Sequence, residues 1–322
     1  MPGSSLRPDA VGHGASRIQT VAGHSLYTPR TALSALLIAA FAVIVPCVSA
    51  AESPVARHYR EGETLRYVID GAHTQDGVLN HSYHGEADVV VKKGADGVFH
   101  EEFTWGALKD GGADIELPAD AKDFRQILSL DPASHFGIPD LSKVGIIGGQ
   151  ITDTLTFYVD VRLAIGHAAA LQKAGDRLYI PYGKPSSWAR GDSIPTGYDC
   201  IDFDVELVAL SSATATLKVR HVPPPAICGQ VPAEWMKKPV ADTVNNWFQV
   251  EKNAKGLYEA GAGKEVFEAE VVVLLPSGII RSATMHNPVL IHQQICKDTA
   301  LTDCGPVEKT EIVREIKFSL LN

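Results

Sequence analysis

The chain lacks the short motifs that most readily identify an enzyme. Its 322 residues contain no Gly-x-Ser-x-Gly, no Gly-rich phosphate loop ending in Lys and Ser or Thr, no His-Glu-x-x-His and no Cys-x-x-Cys. Those motifs mark hydrolases with a serine nucleophile, nucleotide-binding enzymes, zinc proteases, and thiol redox or zinc-binding proteins. No catalytic residue and no cofactor is therefore predicted, and a non-catalytic protein is the preferred interpretation.

Positive charge and long apolar runs are also scarce. The chain has 29 Lys and Arg against 38 Asp and Glu, a formal net charge of −9, and no run rich in Lys or Arg. Nucleic-acid binding depends on clustered cations, so nucleic acid is excluded as an expected partner. After residue 51 no apolar run approaches the roughly 20 residues of a membrane-spanning helix.

One stretch near the start, TPRTALSALLIAAFAVIVPCVSAAES (28–53), predicts export. Arg30 supplies a positive flank, residues 33–45 an apolar core, and Val48-Ser49-Ala50 the small residues before a cleavage site. We expect residues 1–50 to be a leader plus a signal cleaved after Ala50, and the protein to be periplasmic or secreted. The alternatives are an uncleaved N-terminal membrane anchor and lipidation of Cys47, which Val45-Pro46 fits poorly.

Four cysteines remain after the signal, and an even number in an exported chain indicates disulfides. Three pairings are possible in principle. Cys296 and Cys304 bracket the short polar loop CKDTALTDC, and Cys200 and Cys228 flank a predicted hairpin. We therefore predict the pairs Cys200–Cys228 and Cys296–Cys304, with four unpaired thiols as the alternative.

Most of the chain after Ala51 alternates between apolar and polar residues in short runs separated by Gly, Pro, Asn and Asp. This pattern is typical of antiparallel strands with one buried face. Residues 64–69, 87–92 and 99–105 predict a meander, residues 267–273 and 279–285 a hairpin, and residues 312–320 a final strand. We expect about ten strands in all.

The clearest hairpin joins residues 201–207 to residues 214–220. Its loop, Ser211-Ser212-Ala213, would set Glu206 opposite Lys218 and Asp204 opposite Arg220. Opposite charges at facing positions favour a register by about 0.2–1 kcal/mol a pair.

The segment from Ile151 to Asp176 fits two structures. Its first half alternates as a strand does, and yet its apolar residues also form a helical stripe that Thr152 or Asp153 would cap and Gly175 would end. Because the second half is rich in Ala, one long helix near 153–174 is the preferred prediction.

The predicted fold is mainly β (α+β). A curved antiparallel sheet, or open half-barrel, would carry that helix on its concave face. Residues 51–322 would form a single β-rich domain, with two similar β halves joined around 140–195 as a further possibility.

Two groups of residues are candidates for a site. Apolar side chains of the helix and two tryptophans would line a groove for an apolar or lipid-like ligand: Phe157, Val161, Ile165, Leu171, Trp235 and Trp247. The alternative is a metal site at His81, His84 and Glu86, since imidazole and carboxylate bind zinc or copper.

The stretches GETLRYVIDG, ITDTLTFYVDV, GDRLYIPYGKPSSWARGD and YDCIDFDVEL resemble exported bacterial proteins of unknown function. The resemblance covers most of the mature chain and carries over no catalytic residue. A looser likeness is to periplasmic lipoprotein carriers, whose open β-half-barrel is capped by helices. It implies a fold and not a function.

These observations predict an exported, non-catalytic binding protein of the bacterial cell envelope, with an apolar or lipid-like small molecule as its partner. It would meet the membrane only transiently, during export. A metal-assisted hydrolase and a structural envelope protein without a small-molecule site are the alternatives.

Overall fold

The computed structural model describes residues 53–134, 141, 144–167, 170–181, 186–187, 194–227 and 229–321. It confirms a mainly β fold built on one curved, unclosed antiparallel sheet. In the described residues the sheet has 15 strands, more than the ten or so expected. Several of the additional strands have only two to five residues, too few to show alternation in the sequence.

The strands are β1 Thr64–Gln75, β2 Val78–Lys93, β3 Phe99–Asp110, β4 Ala113–Ile115, β5 Gln126–Leu128, β6 Arg177–Pro181, β7 Ser186–Ser187, β8 Thr196–Asp199, β9 Asp202–Leu210, β10 Thr214–Val222, β11 Trp247–Lys252, β12 Tyr258–Glu265, β13 Glu268–Leu274, β14 Ile279–Cys296 and β15 Glu308–Leu321. The helices are α1 Ala119–Asp123 and α2 Gly148–Gly166, with 3₁₀ turns at Gly145–Ile147 and Glu234–Lys237.

The sheet runs in the order β4-β3-β2-β1-β15-β14 and then divides. The first half of β14 pairs with β13, which continues to β10, β9 and β6, whereas the second half pairs with β12, which continues to β11, β8 and β7. Since β12 and β13 follow each other along the same edge of β14, the two wings separate at Val266 and Phe267.

The register predicted for the β9–β10 hairpin is confirmed. Glu206 lies opposite Lys218 and Asp204 opposite Arg220, and Arg220 forms an ion pair with Asp204 at 2.5 Å. Lys218 instead forms its ion pair across the other edge of β10, with Glu268 at 2.8 Å. β10 has a neighbouring strand on each side, β9 and β13. A charged residue of β10 can therefore form its ion pair with either neighbour, even when the register with β9 is the predicted one.

The long helix is also confirmed, although its bounds differ from the predicted 153–174. It begins five residues earlier, because the turn at Gly145–Ile147 leads directly into it, and so Asp153 lies inside the helix and does not cap it. It ends at Gly166, where a Cβ atom would lie 2.9 Å from Cγ of Pro132. Leu171 therefore follows the helix.

The helix packs on the concave face among side chains from several strands. Phe157 contacts Phe318 of β15 with ring centroids 5.7 Å apart, and Tyr158 contacts Phe103 of β3 at 5.6 Å. A second apolar cluster lies under the β8–β11–β12 wing, with members Tyr198, Met236, Phe248, Val250, Ala260, Ala262, Cys296 and Leu301.

The Cys296–Cys304 disulfide is confirmed, with Cα atoms 4.0 Å apart. Cys228 lies outside the described residues, and so the Cys200–Cys228 pairing stays a prediction. The proposed export signal lies outside them as well. None of the helices in the described segments combines the length and the apolar character needed to cross a membrane.

Gly71 on β1 lies beneath the ring of Tyr83, and a Cβ atom there would overlap that ring. We predict that Gly71→Ala lowers the free energy of unfolding by about 1–3 kcal/mol, the usual cost of overpacking. The matched control is Gly106→Ala on β3, where the nearest atom would lie 3.6 Å away. Urea denaturation checks both, and equal losses in the two variants would contradict the packing argument.

Candidate functional site

The helix residues predicted to line a groove all lie in the main hydrophobic core. Phe157, Val161, Ile165 and Leu171 are at most 5% exposed. Trp235 packs against the second apolar cluster, and Trp247 lies half-buried on β11. The six residues are therefore divided between separate regions of the molecule.

A mainly apolar depression of about 220 Å³ lies beside the second cluster. Its lining residues are Pro195, Thr196, Pro232, Val250, Lys252, Tyr258, Thr299 and Leu301. They come from the start of β8, the loop before Trp235, the β11–β12 hairpin and the disulfide-closed loop. No periodic pattern relates these segments to one another, so their proximity could not be predicted from the sequence.

The three residues of the alternative metal site face different partners. Nδ1 of His84 lies 2.7 Å from Oδ1 of Asp70. Glu86 accepts a hydrogen bond from Arg66 at 2.5 Å. His81 lies on the other face of β2, because it is three positions from His84. The described part of the chain has no group of three or more His, Cys, Asp or Glu arranged to hold a metal ion.

A network of buried polar groups joins the helix to the sheet at Asp153, whose side chain is 2% exposed. Its carboxylate accepts a hydrogen bond from the Tyr83 hydroxyl at 2.9 Å and lies 2.7 Å from Nε2 of His73. A guanidinium nitrogen of Arg314 is 3.6 Å from the other carboxylate oxygen. Burial and Asp153 raise the pKa of Tyr83 well above its ordinary value, so the phenol stays protonated.

Arg314 also reaches the point where the two wings separate. It donates hydrogen bonds to Oδ1 of Asn287 and forms an ion pair with Glu265 at 3.4 Å. Asn287 in turn donates to the carbonyl of Val266 at 2.7 Å. The residue facing Val266 is Pro288, whose nitrogen cannot donate, and so the Asn287 amide supplies the missing donor.

A second polar contact lies two turns along the same face of the helix. Asp160 is 3.2 Å from Nε2 of His221 on β10, and the ring of His221 stacks on Phe267. Asp153 and Asp160 are seven residues apart among apolar neighbours, a spacing that puts them on one helix face. This spacing was the signal in the sequence from which polar contacts between the helix and the sheet could have been predicted, since two buried carboxylates on one face require polar partners.

Asp199, at the end of β8, is a further acid whose surroundings change its pKa. Its Oδ1 is buried and has no hydrogen-bond partner among the residues that the structure describes. Burial raises its pKa well above the ordinary value, and the charges of Glu265 and Asp160 raise it further. The folded protein therefore favours the neutral acid at this position.

The donors of the network are committed to acceptors within the protein. Tyr83, Arg314 and Asn287 each bond a carboxylate, an amide oxygen or a main-chain carbonyl. The network therefore fixes the helix in the sheet and satisfies the backbone where the sheet divides. The apolar depression is the better candidate for a ligand.

Comparison with protein-family models and with curated proteins finds no match to this chain.

We predict that Asp153→Asn lowers the free energy of unfolding by about 3 kcal/mol or more, because removing one member of a buried charged network leaves its partners uncompensated. Arg314, His73 and Tyr83 would all lose a carboxylate. Asp88→Asn is the control, since that side chain is 73% exposed and a change of about 0.5 kcal/mol or less is expected there. Similar losses in both variants would disprove the role of the network.

We predict that Asp199→Asn makes the protein more stable than the wild type at pH 8, and that the advantage shrinks toward pH 4. The raised pKa of Asp199 means that the folded state holds its proton more tightly than the unfolded state does. Wild-type stability is therefore lost as the pH rises from about 4 through the folded-state pKa. Urea midpoints measured across this range test the slope.

Asp298→Asn is the comparison variant, because the pKa of Asp298 is shifted in the opposite direction from that of Asp199. Hydrogen bonds from Thr302 and Asp303 lower the pKa of Asp298, so its contribution to stability is present above the unfolded-state pKa and is lost in acid. That variant should be less stable than the wild type at pH 8. An Asp199→Asn difference that stays constant with pH would show that Asp199 is charged in the folded protein.

Proposed function

We propose that this chain is an exported, non-catalytic binding protein of the bacterial cell envelope that takes a small apolar or lipid-like ligand. The observation that carries the proposal is the apolar depression of about 220 Å³ beside the second cluster. Ligand sites are typically concave and mostly apolar, with a few polar groups that orient the ligand. Five of the eight lining residues are Pro, Val, Tyr or Leu.

Export is supported by the signal-like stretch at residues 28–53 and by the Cys296–Cys304 disulfide. Disulfides persist in oxidising compartments such as the periplasm. The disulfide closes the loop that carries Thr299 and Leu301, two of the lining residues. Oxidation on arrival would thus restrain one wall of the depression.

The lining suggests the ligand's chemistry. Lys252 is the single charged residue among the lining side chains, and it is exposed. An ammonium group at the edge of an apolar surface favours a ligand with an apolar body and an anionic end. The volume is below the roughly 300–1,000 Å³ usual for drug-sized ligands, so it suits one ring or a short acyl segment of a ligand whose remainder lies outside the depression.

The test uses 1-anilinonaphthalene-8-sulfonate, which has an apolar ring system and an anionic group. We predict saturable binding that Thr299→Trp weakens by filling the depression and that Lys252→Glu weakens about tenfold, equivalent to 1.4 kcal/mol. Ala300→Trp and Lys255→Glu are the matched controls, since both residues are exposed on the same two loops and do not line the depression.

Binding is measured by fluorescence titration, together with native mass spectrometry of protein purified without detergent. Loss of binding in the two lining variants alone supports the proposal. The absence of saturable binding, or equal effects in lining and control variants, would contradict it and favour a structural envelope protein.

A further inference from the structure

Two histidines lie directly opposite each other on neighbouring strands at the edge of the buried network. His73 of β1 faces His81 of β2, and their ring centroids are 5.9 Å apart. The ring of Tyr83 completes a triangle, 6.0 Å from His81 and 6.4 Å from His73. The side chain of His73 is 23% exposed and that of His81 is 37% exposed, so solvent reaches both histidines.

A carboxylate lies beside one nitrogen of each imidazole. Nε2 of His73 lies 2.7 Å from Asp153, and Nδ1 of His81 lies 3.1 Å from Asp110. Among the residues that the structure describes, Nδ1 of His73 and Nε2 of His81 have no hydrogen-bond partner. Each ring therefore keeps one nitrogen for a further ligand.

This arrangement matches the surroundings of metal-binding histidines. Such residues almost always donate their second N–H to a carboxylate, a carbonyl or water, which fixes the tautomer and makes the free nitrogen more basic. Asp153 is hydrogen-bonded to His73 in this way, and Asp110 lies within ion-pair distance of Nδ1 of His81. Their negative charges also offset the charge of a bound cation.

The separation of the rings fits a shared ion. A metal–nitrogen distance of about 2.0–2.1 Å places the ion about 3.2 Å from each ring centroid. Two imidazoles on one ion then have centroids between about 4.5 and 6.4 Å apart for N–metal–N angles from 90° to 180°. The observed 5.9 Å lies within that range.

We propose that His73 and His81 bind one divalent transition-metal ion through Nδ1 and Nε2, with water in the remaining positions. Imidazole suits copper, zinc and nickel, and Cu²⁺ binds most tightly of the first-row divalent ions. Copper(II) is therefore the ion expected to bind best. The site is distinct from the apolar depression, which different strands form.

The test is Cu²⁺ titration of the purified, untagged protein, with calorimetry for affinity and electron paramagnetic resonance for the ligands. We expect one site whose spectrum shows two coupled nitrogens. In His81→Gln one nitrogen coupling disappears and the affinity falls by more than the loss in Asp110→Asn. The latter should be about 10- to 100-fold, the usual effect of removing the carboxylate partner of a ligand.

His84→Gln is the matched control. His84 lies on the same strand, is 33% exposed and has its own carboxylate partner in Asp70, but its side chain points to the other face. Unchanged Cu²⁺ binding in that variant, with loss in His81→Gln, supports the site. A wild-type spectrum without two nitrogens, unchanged binding in His81→Gln, or an equal loss in His84→Gln would overturn it, whatever the result at the apolar depression.

Discussion

The hydrogen bond from the Asn287 amide to the carbonyl of Val266 holds the sheet together where it divides. Pro288 faces Val266 and has no N–H to donate. Without Asn287 a part-buried carbonyl would lose its partner at this branch point, where the two wings separate. Asn246 acts similarly on the other edge, where its side chain exchanges two hydrogen bonds with the main chain of Glu265. Two buried asparagines thus satisfy the main chain at Glu265 and Val266, where the chain leaves one wing for the other.

The same point in the sheet determines where the helix lies. Arg314 donates a hydrogen bond to Asn287 on one side and lies near Asp153 on the other. Its guanidinium group therefore contacts both the branch point of the sheet and the helix. Further along, Asp160 meets His221 on the β10 wing. Because buried carboxylates need polar partners, these contacts favour the helix rotation in which Asp153 and Asp160 face the sheet.

Local patterns in the sequence predicted the strands that alternate over five or more residues, the register of the β9–β10 hairpin and the presence of one long helix. They did not predict the branch point, because its signal is an asparagine and a proline inside β14 and a second asparagine just before β11. A proline within a strand pattern by itself indicates an edge strand or a loop. The helix begins earlier than predicted because a 3₁₀ turn leads into it, and it ends earlier beside a tertiary contact, that of Gly166 with Pro132. The depression joins segments far apart in sequence, and no periodicity relates such segments.

The packed helix fills the concave face of the sheet, where a groove for a ligand was predicted. A curved sheet around a helix that is apolar on several sides buries its concave face, and Phe157, Val161 and Ile165 already occupy that space. Surface for binding then remains where the covering is thinner. In the described residues, the apolar cluster of the β8–β11–β12 wing is covered by Ile227, Val231 and Ala233 of a loop, by a 3₁₀ turn and by the disulfide-closed loop. Short, loosely regular segments leave gaps between side chains more readily than a long helix does, and the depression lies among such segments.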